Sequence, residues 1–586
     1  MRVLTLTPPG RFPSVALDTG LWWDRVAGKG QHELLRFSAN YAWWRVICSP
    51  RFKALALEPL STIDRIKRRA EWRAQDIALA EDAKAAEHTL DQLETPQTFN
   101  SAADYIDSLS GLARYLPTLT RAQNEFTVSI ADGPNVHELI YTDSSPLVRF
   151  SEFDSLLAAT VRAALEGCPD NIGFAAISIS SPQDLLTALI AARVLRERDP
   201  TVHISLVDHG YENFSLHAHI ESLRKLMTLD SVFDTVIVSK DDRDELVPAL
   251  IDAVAQGQAI KGYLTRASLP VRVPDPQERF YPPPPLPSFA PEPILWTRLS
   301  KRRCYWSRCT YCTQNAKYDD PRAPSKPEIL RTLDRVQACI AAGYRYFYFS
   351  DEALSPSTLR LLAEQIDARG LKFRWACRCK LEKAHTAELF ERLGKSGCYE
   401  ILYGLETTSN RILKLMDKYV EGIDEPEIGE VFRAMEAAGI GIHVNLIGGY
   451  PGDTVAETRK SVDFLIREFS RRRGGTFVLN KFTALVETPI VQQPEKFGLA
   501  RIRESGDIAQ SYEFELSSDI RVSTTEVFDE IPKLQKRLND ELGWSSLGPG
   551  PEGSLALELY FGSGHGAIFK SRPNNPFANP LLAPVQ

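Results

Sequence analysis

The sequence predicts an α/β protein. An N-terminal doubly wound, Rossmann-like domain with a helical insertion precedes a partial (β/α)6 TIM-type barrel and a small C-terminal extension. Three observations predict this. Strand-length apolar runs alternate with amphipathic helical patterns in two separate series, as parallel sheets require. A proline-dense stretch stands between the two series, where helix is forbidden and extended chain favoured. Three cysteines, Cys304, Cys309 and Cys312, fall within nine residues directly after the first strand of the second series.

The first series begins with the apolar strand "RVLTLTP". A long helical region follows, from about Gln31 to Leu93, rich in Ala, Arg, Glu and Leu with charges spaced for i, i+4 pairing. Then come the strand "IGFAAISIS", the amphipathic helix "PQDLLTALIAARVLRERDP", the strand "VHISLVDHG" and a further strand and helix in "SVFDTVIVSKDDRDELVPALIDAV". The expected divisions are a first domain at 1–268, a linker at 269–293, a barrel at 294–488 and an extension at 489–586.

The second series is more regular. Its strands are "ILWTRLS", "YRYFYFS", "KFRWACRC", "YEILYGLE", "IGIHVNLIGG" and "GTFVLNKFTAL". Helices are expected over Lys326–Ala342, Ser355–Ala368, His385–Lys395, as a pair within Asn410–Ala438, and over Thr454–Phe469. "AGY", "SGC" and "AGI" each place a glycine where a helix must end before the next strand.

Composition bounds the function. The chain has 586 residues, 43% hydrophobic and 25% charged, with a net charge of −7. Such a balance calls for no polyanionic partner, so no nucleic acid is expected. No uninterrupted apolar run is long enough to span a bilayer, and "MRVLTLTPPG" reads as a strand, so no membrane and a cytoplasmic location are expected. Nine cysteines in such a chain, three of them clustered, suggest a metal centre in a reducing compartment.

The cluster reads Cys-x4-Cys-x2-Cys. Three thiolates on one loop can wrap one metal centre. Zinc would want a fourth ligand, and the nearest downstream histidine is His385. A three-cysteine site with an open position suits a four-iron cluster. A structural zinc knuckle or packed core cysteines are the plainer alternatives. The loop's place favours the cluster, because TIM-type active sites sit at the C-terminal ends of the strands.

Ile294 to about Leu485 resembles a radical S-adenosylmethionine (SAM) barrel, and Met1 to about Gly262 resembles the cobalamin-binding domain of cobalamin-dependent radical SAM enzymes. The resemblance rests on "CTYC", "YFYFSDEAL", "WACRCKLE", "YGLETTSNRILKLMDK" and "VNLIGGYPGDTVAET", in that order. The family's usual spacing is Cys-x3-Cys-x2-Cys, so this loop carries one extra residue.

The resemblance implies a 4Fe–4S cluster on Cys304, Cys309 and Cys312, with SAM on the fourth iron. It places Tyr311 against the adenine and a carboxylate among Ser350, Asp351 and Glu352 on the SAM ammonium. The blander role for those three is a helix N-cap. It puts Glu406 at the ribose or methionine end, and Gly448 and Gly449 beside the adenine. Strand side chains alternate faces. If Arg378 points into the barrel, it is free for the SAM carboxylate and Cys377 and Cys379 point out; the opposite parity brings two thiols to the substrate. The six remaining cysteines are expected to bind no metal.

Cobalamin is implied at the strand ends of the first domain, with Pro9, Gly10, Ser180, Ser181, Asp208, His209 and Gly210 as contacts. "DHG" replaces the family's Gly-Gly there, and the Asp-x-His-x-x-Gly signature is missing, so His209 is expected not to ligate cobalt. The implied activity is methylation of a carbon of a natural-product precursor, amino acid or peptide in the cleft between the domains, with an external electron donor. The alternatives are a radical SAM enzyme with a degenerate cobalamin domain doing oxidation, cyclisation or rearrangement, and a non-enzymatic iron–sulfur redox sensor.

Overall fold

The computed structural model describes residues 1–542 apart from 58–81, 95–111, 209–231, 272–278, 290–293, 301–303, 314–321, 472–474 and several further gaps of at most four residues. Two parallel sheets organise it. The first joins Arg2–Thr7 (β1), Glu33–Ser38 (β3), Phe174–Ile179 (β6), His203–Asp208 (β7), Thr235–Ile237 (β8) and Gly262–Tyr263 (β9) in the order β3-β1-β6-β7-β8-β9. Every residue of β6 and β7 is buried, which explains their unbroken apolar runs. A hairpin of Phe126–Ser129 (β4) and Gly133–Val136 (β5) lies in the insertion.

β3 corrects the expectation of helix from Gln31. Glu33–Ser38 pairs in parallel with β1, and Arg2 Nε meets Glu33 Oε2 at 3.1 Å. The helix starts only at Ala39, where Ser38 caps it by accepting the Tyr41 amide at 3.0 Å. A window dominated by the helix formers downstream hid a six-residue edge strand. Residues 82–93 are helical; the centre of the expected region lies outside the described residues.

The second sheet runs β15-β14-β13-β12-β11-β10-β2, all parallel. Its strands are Ile294–Thr297 (β10), Tyr346–Phe349 (β11), Arg374–Cys379 (β12), Cys398–Glu406 (β13), Gly441–Gly448 (β14) and Thr476–Lys481 (β15). These are the six expected units. A seventh strand, Val15–Leu17 (β2), comes from the N-terminal segment and pairs with β10. Helices Lys326–Ala341, Pro356–Ala368, Ala387–Lys395, Asn410–Leu415, Glu425–Ala437 and Val455–Ser470 follow the strands as expected. Gly343, Gly397 and Gly439 end helices with φ of 108°, 97° and 70°, where only glycine is unstrained.

The proline-rich stretch is fastened to the N-terminal half and, through Asp24, linked to the barrel. Phe289 is fully buried, stacks on Tyr41 at 4.7 Å and donates its amide to the Pro13 carbonyl. Tyr281 donates its amide to Asp24 Oδ1 at 2.9 Å, and Asp24 also pairs with Arg335 of the barrel helix Lys326–Ala341.

After the barrel, Ala484–Leu485 (β16), Leu499–Glu504 (β17) and Ser511–Leu516 (β18) form an antiparallel sheet in the order β16-β18-β17. The helix Arg521–Leu542 then returns to the barrel. Its Val527, Ile531, Leu534, Leu538 and Leu542 join the core between sheet and helices at helical spacing. The glycine-rich turn expected for "GSGHGAIF" at 562–569 lies outside the described residues, as do 472–474 of "SRRRGG", expected as a solvated helix end.

Candidate active site

The site is built at the C-terminal ends of β10 to β14. Its anchor is Asp351, just past β11. Asp351 Oδ2 accepts the Leu299 amide at 2.7 Å and Oδ1 the Ser300 amide at 3.2 Å, fixing the chain as it leaves β10. Burial pushes this carboxyl's pKa up; Arg298 and the two amides oppose the rise. Ser350 donates to the Thr297 carbonyl at 3.2 Å, and Glu352 pairs with Arg298 at 2.9 Å. The structure thus gives these three residues partners at the strand ends. The blander expectation also needs correction: the helix cap is Ser355, which accepts the Thr358 amide.

The cysteine loop follows. Cys304, Cys309 and Cys312 are partly exposed and in no disulfide, whereas Cys48, Cys168, Cys339, Cys377, Cys379 and Cys398 are buried. Burial raises the pKa of Cys304, and the backbone amides of Ser307 and Trp306 oppose the rise. Burial pushes Cys309 up to about 11, with Lys418 opposing. Thr310 is held on both sides: its amide donates to the Met416 carbonyl at 3.0 Å, and its hydroxyl meets Tyr450 OH at 2.8 Å.

Tyr311, between two of the cysteines, donates to Glu406 Oε1 at 2.9 Å. Lys418 Nζ reaches the same oxygen at 2.5 Å and Tyr311 OH at 3.3 Å. Glu406 ends β13 with φ 63°, a conformation uncommon for a residue with a side chain and typical of functional sites. Gly404 leaves room for the Glu406–Lys418 pair: a Cβ there would stand 2.5 Å from Glu406 Oε1 and 2.7 Å from Lys418 Nζ. Lys418 was not singled out from sequence, although it ends the quoted stretch "LKLMDK".

The barrel strands show one parity. Phe347, Phe349, Trp375, Cys377 and Cys379 pack with helix residues such as Ile329 and Leu359, on the outer face. Trp296, Tyr348, Ala376 and Tyr399 pack together on the inner face. Arg378 lies over the Tyr348 ring at 5.6 Å, so it is on the inner side and its two cysteine neighbours are on the outer. His443 of β14 bonds Thr476 and Asn445 at 2.8 and 3.0 Å, and burial lowers its pKa to about 4. At Gly448 and Gly449 the space is taken by the C-terminal helix: a Cβ would meet Ile531 at 3.1 Å and Phe528 at 2.2 Å.

A model of the radical SAM superfamily matches residues 301–465. The chain carries a radical SAM domain. A hopanoid C-2 methylase from Rhodopseudomonas palustris (strain TIE-1) is 25% identical over 196 residues, 33% of this chain and 36% of that protein. The chain therefore aligns with about a third of that relative's length. The structure of TsrM, a radical S-adenosylmethionine methyltransferase from Kitasatospora setae with cobalamin and a 4Fe–4S cluster bound, covers 98% of both chains at 11% identity and a TM-score of 0.52. That likeness is one of fold. The cobalamin-dependent S-adenosylmethionine radical enzyme OxsB covers 65% of this chain and 60% of its own, at 15% identity and a TM-score of 0.43.

The radical SAM domain's cysteine loop fits an iron–sulfur cluster in its donor chemistry. It offers three thiols, with the Ser307 and Trp306 amides favouring the Cys304 thiolate; two lysines from outside the loop, Lys380 and Lys418, stand near it with side chains 5% and 11% exposed. Both lysines act electrostatically on Cys309. No three acidic, histidine or cysteine side chains among the described residues converge as they would on a single ion. A cubane does not require that, because it holds its thiolates apart at separate corners.

Ahead of the radical SAM domain, the loop after β1 is fixed from two helices. Gly10 donates its amide to Asn40 Oδ1 at 3.0 Å and accepts from Trp44 Nε1 at 3.1 Å; Thr187 donates to the Pro9 carbonyl at 2.5 Å. A Cβ on Gly10 would lie 2.6 Å from Asp184 Oδ1, so its freedom serves a contact within the protein. Asp208 ends β7 fully buried, and its carbonyl accepts from Arg243 at 3.3 Å. Ser180, Ser181, His209 and Gly210 lie outside the described residues.

Proposed function

We propose that the protein is a cobalamin-dependent radical SAM enzyme that methylates a carbon of a small molecule, amino acid or peptide. The observation that carries this reading is the loop of three thiols at the C-terminal end of the first strand of the radical SAM domain, flanked by two buried lysines. The full-length fold likeness to TsrM supports extending the reading to the first domain. When bound, the cluster and SAM supply a 5′-deoxyadenosyl radical that abstracts hydrogen, and methylcobalamin supplies the methyl group.

The chain's own residues supply placement and charge. Cys304, Cys309 and Cys312 hold the cluster. Asp351 fixes the loop's origin through two amides, and Thr310 fixes its centre through Tyr450 and Met416. Glu406 and Lys418 form a buried ion pair that holds the Tyr311 hydroxyl. Arg378, on the inner face of β12, is the cation assigned to the SAM carboxylate, for which a planar guanidinium is suited. We place the first domain at 1–268 and the barrel at 294–488, and the protein in the cytoplasm. No helix among the described residues is long and apolar enough to cross a membrane.

The test is anaerobic purification with an optical spectrum and SAM cleavage after reduction. Corrinoid bands together with reductive SAM cleavage are expected. SAM cleavage without corrinoid uptake would leave a radical SAM enzyme with a degenerate first domain, and neither would leave the redox-sensor reading.

A further inference from the structure

Four residues separate Cys304 from Cys309, and each of them is tied down. Tyr305 OH donates to Glu382 Oε1 at 2.8 Å. Trp306 Nε1 donates to the Asp417 carbonyl at 2.7 Å. Ser307 turns the chain at φ 47°, and its hydroxyl donates to the Cys304 carbonyl. Arg308 makes a two-pronged pair with the Asp417 carboxylate at 3.2 and 2.6 Å. The span is thus fastened at two places on the barrel rim: after β12 at Glu382, and after the helix Asn410–Leu415 at Asp417.

Trp306 also faces two cations. The Arg308 guanidinium lies 4.9 Å from its ring centroid and Lys380 Nζ only 3.8 Å. Arg308 is exposed, but the Lys380 side chain is 5% exposed. Removing an ammonium from water is costly unless something nearby returns the energy. The Trp306 ring face returns part of it. Glu382 returns less than a close pair would: it stands at 3.4 Å, is 20% exposed and already accepts from Tyr305. Arg378, two residues earlier, lies over Tyr348 on the barrel's inner face. Lys380 stands against the cysteine loop itself, and it acts on Cys309.

We infer that Lys380 and Trp306 are positioning residues for the cluster: Trp306 holds the four-residue span in place, and the Lys380 charge carried on its ring favours the more negative, reduced cluster. This rests on the cluster assignment proposed above. A buried cation beside a centre that gains an electron stabilises the reduced form, and little solvent screens it.

The test is a redox titration of the reconstituted full-length protein, followed by paramagnetic resonance, alongside iron and sulfide analysis. Lys380→Met is expected to keep its iron and to lower the reduced-to-oxidised ratio about tenfold at a fixed potential, a shift of about 59 mV for one electron. Lys380→Arg keeps the charge and is expected to titrate like wild type, as is Lys395→Met, which removes an exposed lysine paired with Glu391. If Lys380→Met fails to hold iron, Lys380→Gln decides by the same shift. A wild-type potential in the neutral variants, or an equal shift in Lys395→Met, overturns the inference while leaving the cluster intact. Wild-type protein without iron and sulfide after reconstitution overturns the cluster assignment instead, and the inference with it.

Discussion

Lys418 Nζ lies 2.5 Å from Glu406 Oε1, and both side chains are about one-tenth exposed. The pair joins the turn after the helix Asn410–Leu415 to the end of β13, beside the cysteine loop. Burial lowers the Lys418 pKa, but Glu406 and the nearby cysteines outweigh this and hold it above the usual lysine value. Breaking a buried pair from one side leaves a charge without compensation. Lys418→Met is therefore expected to destabilise the protein by about 3–5 kcal/mol. The double variant Lys418→Met/Glu406→Gln should recover part of that loss in denaturant titrations. A double variant no more stable than Lys418→Met would show that the charge is not the cause.

The cysteines divide by face. Triple alanine replacement of Cys304, Cys309 and Cys312 is expected to abolish bound iron and sulfide. Cys377→Ala and Cys379→Ala remove sulfur from the outer core, at a cost of about 1–2 kcal/mol each, and should keep full iron content. Iron analysis per chain separates the two sets. Loss of iron in either outer variant, with folding intact by circular dichroism, would refute the division.

The barrel was legible because each of its signals is local. Helix-ending glycines, alternating strands and amphipathic helices all fall within short windows. Three features were hidden, by shortness, by a neighbouring pattern or by partners far along the chain. Val15–Leu17 is three residues long, and its partner β10 lies nearly three hundred residues away. Glu33–Ser38 is a short edge strand read together with the helix behind it. The Arg521–Leu542 helix has a clear apolar face, but nothing in its own sequence says that it closes over Gly448 and Gly449. At the site the cysteines were legible from spacing. Asp351 stood out as an acid at a strand end, yet its carboxylate faces backbone amides that sequence cannot display. Lys380 and Lys418 went unremarked because lysine is usually exposed, and only burial makes them informative.

His443 predicts a pH dependence. Burial lowers its pKa to about 4, with the nearby Arg378 charge acting in the same direction and the Asn445 bond opposing. In the unfolded chain the imidazole titrates near its ordinary value of about 6.5. Between these values the unfolded state binds a proton that the folded state refuses, so stability falls as pH drops from about 6.5 to 4. Above 6.5 both states are neutral and the contribution is flat. The loss is on the order of 3 kcal/mol across that window. His385 is also lowered to about 4 by burial, with Lys380 adding to the effect, and contributes in the same direction. His443→Gln should flatten part of the slope in urea titrations at pH 4.5 and 7. An unchanged slope would mean that the ring is protonated in the folded protein or titrates alike in both states.

Gly449 tests whether the C-terminal helix is part of the barrel. Its φ is 78°, where a side chain is strained, and an added Cβ would stand 2.2 Å from the Phe528 ring. Its amide donates to Asp453 Oδ2 at 2.9 Å, which leaves the turn little room to move aside. Gly449→Ala is expected to cost about 2–4 kcal/mol, from backbone strain and overpacking together. The two causes separate in a double-mutant cycle. Phe528→Ala removes the clash but not the strain, so Gly449→Ala should cost about 1–3 kcal/mol less in that background. If the two changes add without coupling, the helix does not press on Gly449 in solution. Coupling of that size would show that Arg521–Leu542 closes over the end of β14.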